Sequence, residues 1–340
     1  MKSAILGVAK RIGLFNLGLR AFRGHLRILC YHGIWTGDPP HYGDCLYMSA
    51  ARFRQRLNLL EKLGCDILPL DEALSRLRDG TLPDFPVVLT IDDAWHGTYS
   101  EMLPALEERG FPATIYVTTY YSEKGQPVRN VLIGYMVSRT KSLSDALAKL
   151  SPLMSDLSSV PDSLGSLSER LSDQADTLPS DELRREFLAR IAAAVGLDFN
   201  RIDAGRCFHL MGETELSDAV RRGFDVQLHT HRHQMYDFEP DRLVADLEIN
   251  RAQTSKLANV PAETLNHFCY PSGVYNQSVF KALESVGVAS ATTTDFGLNG
   301  PGSNPYALAR VLDCESMSDI ELEAKLCGFW SLMNRLRGSA

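Results

Sequence analysis

The sequence predicts an α/β fold built on a mainly parallel sheet. Two observations carry this: short apolar runs suited to buried strands alternate with amphipathic helical segments, and 340 residues that are 44% hydrophobic can bury a large core. At about 150 residues per domain, the length gives two units or one domain with an insertion. With 23% charged residues the composition is not that of a disordered or coiled-coil chain. Lys plus Arg number 35 against 42 Asp plus Glu, and a net charge of -7 offers no footprint for nucleic acid. No stretch reaches the ~18 apolar residues of a membrane span. Seven cysteines stand singly, without a CxxC pair, which suits reduced thiols. The N-terminus lacks the unbroken apolar core of a signal peptide. The expectation is therefore a cytoplasmic chain, peripheral at the inner face of a membrane.

Residues 1–26 place Ile5, Leu6, Ile12, Phe15, Leu19 and Phe22 among Lys2, Lys10, Arg11, Arg20 and Arg23. This basic amphipathic pattern suits either an anionic membrane surface or packing on the chain's own domain or a partner. RILCYHGI (Arg27 to Ile34) reads as a buried strand and leads into a loop with Gly37, Pro39, Pro40 and Gly43. Ser49 offers an N-cap for a helix to Leu63, with Arg52 where a reciprocal Glu would stand. CDILPL then reads as a strand, DEALSRLRDG as a helix ended by Gly80, and PVVLTIDD (Pro86 to Asp93) as a buried strand ending in acid. A helix over Tyr99 to Arg109 stops at Gly110, and PATIYVTTYY follows as a strand.

From 124 to 216 the alternation breaks. This segment, rich in Leu, Ser and Asp, reads as a helical insertion interrupted by Pro152, Pro161 and Pro179, and its Ser-Leu pairs hold no fixed repeat period. Strands FDVQLHTH, HFCYP and ASATTT then alternate with helices DRLVADLEINRAQTSKLAN and NQSVFKALESVG. The C-terminal segment, 316–340, reads as one more amphipathic helix.

Two features could carry chemistry. LTIDDAW puts Asp92 and Asp93 at the carboxyl end of a strand, where open α/β folds build their sites. An isolated acidic pair is also a common N-cap with a solvated neighbour. LHTHRHQ places His229, His231 and His233 just after a second apolar strand. Two imidazoles and a carboxylate on strand-end loops suit a divalent ion that keeps open positions, and a satisfied polar turn is the plainer alternative.

Together these residues resemble the polysaccharide deacetylases of the NodB-homology type (carbohydrate esterase family 4). Thr90-Ile91-Asp92-Asp93 is similar to that family's TFDD motif, His229-Thr230-His231-Arg232-His233 to its H-(S/T)-x-x-H motif, and Phe268-Cys269-Tyr270-Pro271-Ser272-Gly273 to its proline loop. The resemblance covers residues 27–123 and 217–315, leaving out the insertion 124–216 and both termini. It implies an irregular (β/α) barrel with a helical insertion. It further implies a divalent metal, zinc foremost with cobalt, nickel, manganese or iron as alternatives, held by Asp93, His229 and His233. Asp92 is then the general base, and a backbone N–H at Ser272 helps hold the oxyanion.

The sequence departs from the pattern at three places. Ala94 stands where Gly is common, Cys269 stands where the third motif carries Arg, and no late Leu-x-His follows Asp295. Arg310 in YALARVLD is the candidate to replace the missing Arg, with a surface or capping role as the alternative. His32 in CYHGI is the candidate for the missing general acid, or else a strand-end residue bonded to backbone. His96 and His231 are weaker candidates. Trp35, Trp95, Tyr120 and Tyr121 fall near predicted strand ends, where rings stack on sugars or pack in the core.

The expected function is removal of an acetyl or similar acyl group from an N-acylated sugar in a cytoplasmic-side or lipid-linked glycan, with peripheral membrane contact through residues 1–26. An N-deformylase, an O-acetyl esterase on the same metal site, and a non-catalytic glycan-binding protein are the alternatives.

Overall fold

The computed structural model describes residues 2–155 and 159–336. Among these residues ten strands form: β1 (Arg27–Tyr31), β2 (Gly33–Ile34), β3 (Tyr47–Met48), β4 (Asp66–Ile67), β5 (Pro86–Ile91), β6 (Thr114–Val117), β7 (Asp225–Leu228), β8 (His267–Cys269), β9 (Ser290–Phe296) and β10 (Leu308–Leu312). Eight pair in the order β1-β10-β9-β8-β7-β6-β5-β4, all parallel, and β1 also pairs with β5. That last pairing, Arg27 to Tyr31 against Val87 to Ile91, closes seven strands into a barrel with β4 flanking β5. The protein is thus the expected (β/α) barrel.

Alternation along the strands explains what faces what. Leu29, Tyr31, Val87, Leu89 and Ile91 pack outward against helices such as Ala50–Leu63 and Leu103–Glu107. Their neighbours Ile28, Val88, Tyr116, Cys269 and Leu308 form a second buried cluster. The inward set becomes polar toward the carboxyl ends, where Cys30, Thr90, Asp92, Cys269 and Arg310 are buried.

Residue contacts divide the chain into two units. One comprises residues 1–35, 43–124 and 211–340, and carries the barrel. The other comprises 36–42 and 125–210, with helices Arg129–Ser138, Leu143–Leu150, Leu164–Thr177, Asp181–Ala194 and Phe199–Ala204.

Several expected elements differ in extent. The strand read over Arg27 to Ile34 ends at Tyr31, and β2 leaves the barrel to pair with β3. PATIYVTTYY is strand only to Val117, because its partner β7 ends opposite at Leu228, and Thr119–Lys124 turns helical. The helix expected from Tyr99 opens as a π-helical turn, Thr98–Met102, since Pro104 has no N–H for the regular ladder. The N-terminal helix is two, Lys2–Arg11 and Leu14–Ala21, broken where Gly13 adopts φ 85°. The C-terminal segment is likewise two helices, Asp319–Leu326 and Phe329–Leu336, and residues 337–340 lie outside the described residues.

The reading of all cysteines as separate thiols is corrected. Cys45 and Cys314 form a disulfide across 269 residues of sequence, a proximity that spacing does not reveal, while Cys30, Cys65, Cys207, Cys269 and Cys327 carry thiols.

Candidate metal and acyl-transfer site

The site gathers where barrel strands end. Asp92 and Asp93 follow β5, His229 and His233 follow β7, Cys269 closes β8, Arg310 lies in β10 and His32 follows β1. Asp93 and Ala94 both take left-handed backbone, φ 71° and 63°, so the chain reverses sharply after β5. This conformation is free for Gly and strained for other residues, so Ala94 meets at some cost the demand that Gly usually meets. The Ala94 carbonyl accepts from the Met211 N–H at 2.7 Å, which holds the turn.

Asp93 meets the two histidines. Its Oδ1 lies 3.3 Å from His229 Nε2 and 3.4 Å from His233 Nε2, and the three donor atoms lie within 4.8 Å of one another. His229 Nδ1 lies 2.8 Å from the Cys269 carbonyl, which can only accept, so Nδ1 carries a proton and Nε2 is the nitrogen turned to Asp93, where it donates to the carboxylate or, deprotonated, would bind a cation. Trp95 Nε1 donates to Asp93 Oδ2 at 2.9 Å and leaves Oδ1 for the histidines. His229 is fully buried whereas the His233 side chain is 40% exposed, so the cluster has a closed and an open side. Two imidazole nitrogens and one carboxylate oxygen, with an accessible face, fit a zinc-like ion that keeps positions for water and substrate.

Asp92 lies beside this cluster, one of its oxygens within 4.8 Å of a His229 nitrogen and of Cys269 Sγ. Arg310 Nη1 and Nη2 donate to its two oxygens at 2.7 Å each, a bidentate pair with both side chains buried. Arg310 Nε donates to the Thr293 carbonyl at 2.7 Å, and Nη2 lies 3.2 Å from Cys269 Sγ. The guanidinium therefore comes from β10 into the space beside Cys269. Burial alone would raise the Asp92 carboxyl, but Arg310 outweighs it and holds the group well below the usual carboxylate range. Burial likewise opposes ionisation of Asp93, which His229 and His233 hold low. Burial works against charge on both imidazoles: it prevails at His233, which is shifted down, whereas at His229 the nearby Cys269 and Asp93 outweigh it and the shift is upward.

His32 Nε2 lies 3.9 Å from Asp92 Oδ2, with the ring 20% exposed. His32 Nδ1 is buried with no hydrogen-bond partner. The structure thus brings His32, Asp92, Asp93, His229, His233 and Arg310 together. It does not join Ser272 to them: Ser272 is exposed at the tip of the proline loop, φ 55°, and its carbonyl accepts from Thr294 Oγ1 at 3.5 Å. Next to it Gly273, φ 69°, is required, since a Cβ there would lie 1.9 Å from Thr294 Oγ1.

The two weaker histidine candidates are engaged elsewhere. His96 Nδ1 lies 2.9 Å from Glu215 Oε1, and His231 Nδ1 lies 2.9 Å from Thr119 Oγ1. Trp95 is buried against Tyr47, and the Tyr120 ring carries Lys124 and Arg232 at 4.8 and 4.6 Å. Sequence reasoning missed the braces of the histidine loop. On helix Pro240–Ala258, Asp246 accepts from the His231 N–H at 2.5 Å and Asn250 from the His229 N–H at 3.1 Å. The available signal was two polar residues at i, i+4 among Leu243, Leu247 and Leu257, all buried. Cys30, whose Sγ lies 3.5 Å from Asp92 Oδ2, was also missed, because an inward strand cysteine reads as core.

Residues 79–149 and 197–291 match the polysaccharide deacetylase family. No curated protein matches the sequence significantly. Among solved structures, the deacetylase PplD of Streptococcus pyogenes is 17% identical with a TM-score of 0.57, covering 89% of this chain and 98% of that one. IcaB from Ammonifex degensii is 17% identical with a TM-score of 0.55, covering 89% and 97%. A de-N-acetylase from Aggregatibacter actinomycetemcomitans is 12% identical with a TM-score of 0.54, covering 88% and 99%. These likenesses show a shared fold, and the residues that match the polysaccharide deacetylase family carry β5, the histidine loop and the proline loop.

Proposed function

We propose that the protein is a metal-dependent hydrolase that removes an acetyl group from an N-acetylated sugar. The observation that carries this is the convergence of Asp93, His229 and His233 beside an Asp92 clamped by Arg310. A divalent ion, zinc foremost, would supply there an acidified water and polarise the acyl oxygen. Asp93, His229 and His233 would hold it. Asp92 takes a proton from the attacking water, and Arg310 keeps that carboxylate ionised and oriented in a buried setting. His32, which faces Asp92 and has an uncommitted Nδ1, donates the proton that the departing amine needs.

The finer substrate reading is a glycan intermediate, free or lipid-linked. The cytoplasmic placement loses one of its two supports, because Cys45 and Cys314 are joined and disulfides persist mainly in oxidising compartments.

The test is release of amine from N-acetylhexosamine oligomers by the wild type, Asp93→Ala and His229→Ala, with matched N-formyl and O-acetyl substrates alongside. Turnover that both substitutions abolish supports the proposal. Undiminished turnover in either variant rejects the ligand set, and preference for the formyl or ester substrate reassigns the bond.

A further inference from the structure

The outer face of the N-terminal helix pair is unexplained by the fold. Helix Lys2–Arg11 already spends one face on packing, since Leu6 and Ala9, with Phe15, form a buried cluster with Ala324, Cys327 and Phe329. Lys10 fastens that side to Glu323 at 2.6 Å. A second apolar line is left over. Ile5, Val8 and Ile12 recur at i, i+3 and i+7 and are 61%, 57% and 68% exposed, and Leu17 in the next helix is 51% exposed. Nine large hydrophobic side chains stand exposed among the described residues, and four of them fall within these 13 positions.

Charge selects the occupant. Residues 1–27 contain six Lys and Arg and no Asp or Glu, in a chain whose net charge is -7. Arg11, Arg20 and Arg23 are exposed, and Arg335 from the last helix lies over the Phe22 ring at 4.5 Å. A second copy of this acidic chain would match the apolar line but offers no reason for so one-sided a charge.

We infer that residues 5–17 form an interfacial anchor that seats the protein on an anionic lipid bilayer, with the Ile5, Val8, Ile12 and Leu17 side chains in the acyl boundary and the arginines at the headgroups. The anchor lies at the start of β1, where Arg27 bonds the Phe22, His25 and Leu326 carbonyls, whereas the metal site lies at the strands' carboxyl ends. The barrel therefore stands between them, and a six-residue strand such as β5 spans about 20 Å. On the deacetylase reading, the sugar processed is one that reaches well away from the bilayer.

The experiment is cosedimentation of the full chain with phosphatidylglycerol-containing vesicles and with pure phosphatidylcholine vesicles, read for wild type, Val8→Asp/Ile12→Asp and Arg11→Glu/Arg20→Glu. All four positions are exposed, and unchanged thermal unfolding certifies each variant. The anchor predicts binding to anionic vesicles, at least about tenfold weaker in either variant and weak on neutral vesicles. Absence of wild-type binding, equal binding by the variants, or equal binding to neutral vesicles overturns it. So does a wild-type dimer that Val8→Asp/Ile12→Asp dissociates, with no vesicle binding, which would give the face to a second copy.

Discussion

Replacing Arg310 with Met removes the side chain that bonds both oxygens of Asp92 and leaves a buried carboxylate facing two thiols, Cys30 and Cys269, with His32 Nε2 at 3.9 Å. Breaking a buried ion pair by removing one partner costs about 3–5 kcal/mol, because the surviving charge is stranded. Asp92→Asn strands the Arg310 cation and should cost a similar amount. In the double variant Arg310→Met/Asp92→Asn no charge is stranded, so most of the combined loss of roughly 6–10 kcal/mol should be recovered as a coupling energy. Urea unfolding of the four proteins in chelator, so that metal affinity does not enter, measures this. The folded-state pKa of Asp92 is depressed, so the pair's stabilisation is present at neutral pH and lost as pH falls through the folded value. The advantage of wild type over the double variant should therefore shrink below about pH 4. Additive single costs, with no coupling, would refute the pairing on which the role of Arg310 rests.

Other outcomes follow from the same structure. His32→Gln should lower kcat by about 10²–10⁴-fold while leaving metal content and unfolding unchanged, as steady-state assay and elemental analysis would show. Of seven cysteines, five should be alkylated in denaturant without reductant and all seven after reduction, counted by intact mass. Cys45→Ser/Cys314→Ser should lose up to about 5 kcal/mol of stability on the chain-entropy account, since the bond closes a loop of most of the chain. Asn250→Ala removes the side chain that accepts from the His229 N–H and donates to the Val117 carbonyl, and should weaken metal affinity about 10–100-fold with smaller change in fold.

Much of the fold was legible because parallel barrel strands, buried on both faces, advertise themselves as apolar runs. β1, β5, β6, β7 and β8 all fall within runs read as strand, and the expected Ser49 cap forms, its Oγ accepting from the Arg52 N–H. What the pattern does not encode is pairing. That β1 sits against both β5 and β10 brings Arg310 across the barrel to Asp92, although 218 residues separate them. The same holds for Cys45 and Cys314. Strand ends were misread where a neighbour stops, as after Val117, and helix ends where glycine or proline intervenes, as at Gly13 and Pro104. At the site, the residue types that bear chemistry were legible from adjacency, DD and HTHRH. Their supports, Asn250, Asp246 and Cys30, come from elements whose local sequence reads as ordinary helix or strand.

The central claim is that Asp93, His229 and His233 hold a divalent ion. Calorimetric titration of the purified, chelator-stripped chain with zinc, repeated on His229→Ala/His233→Ala, tests it most directly. The account predicts one tight site per wild-type chain and none in the variant; a wild type that takes up no metal, or a variant that binds as tightly, would contradict it.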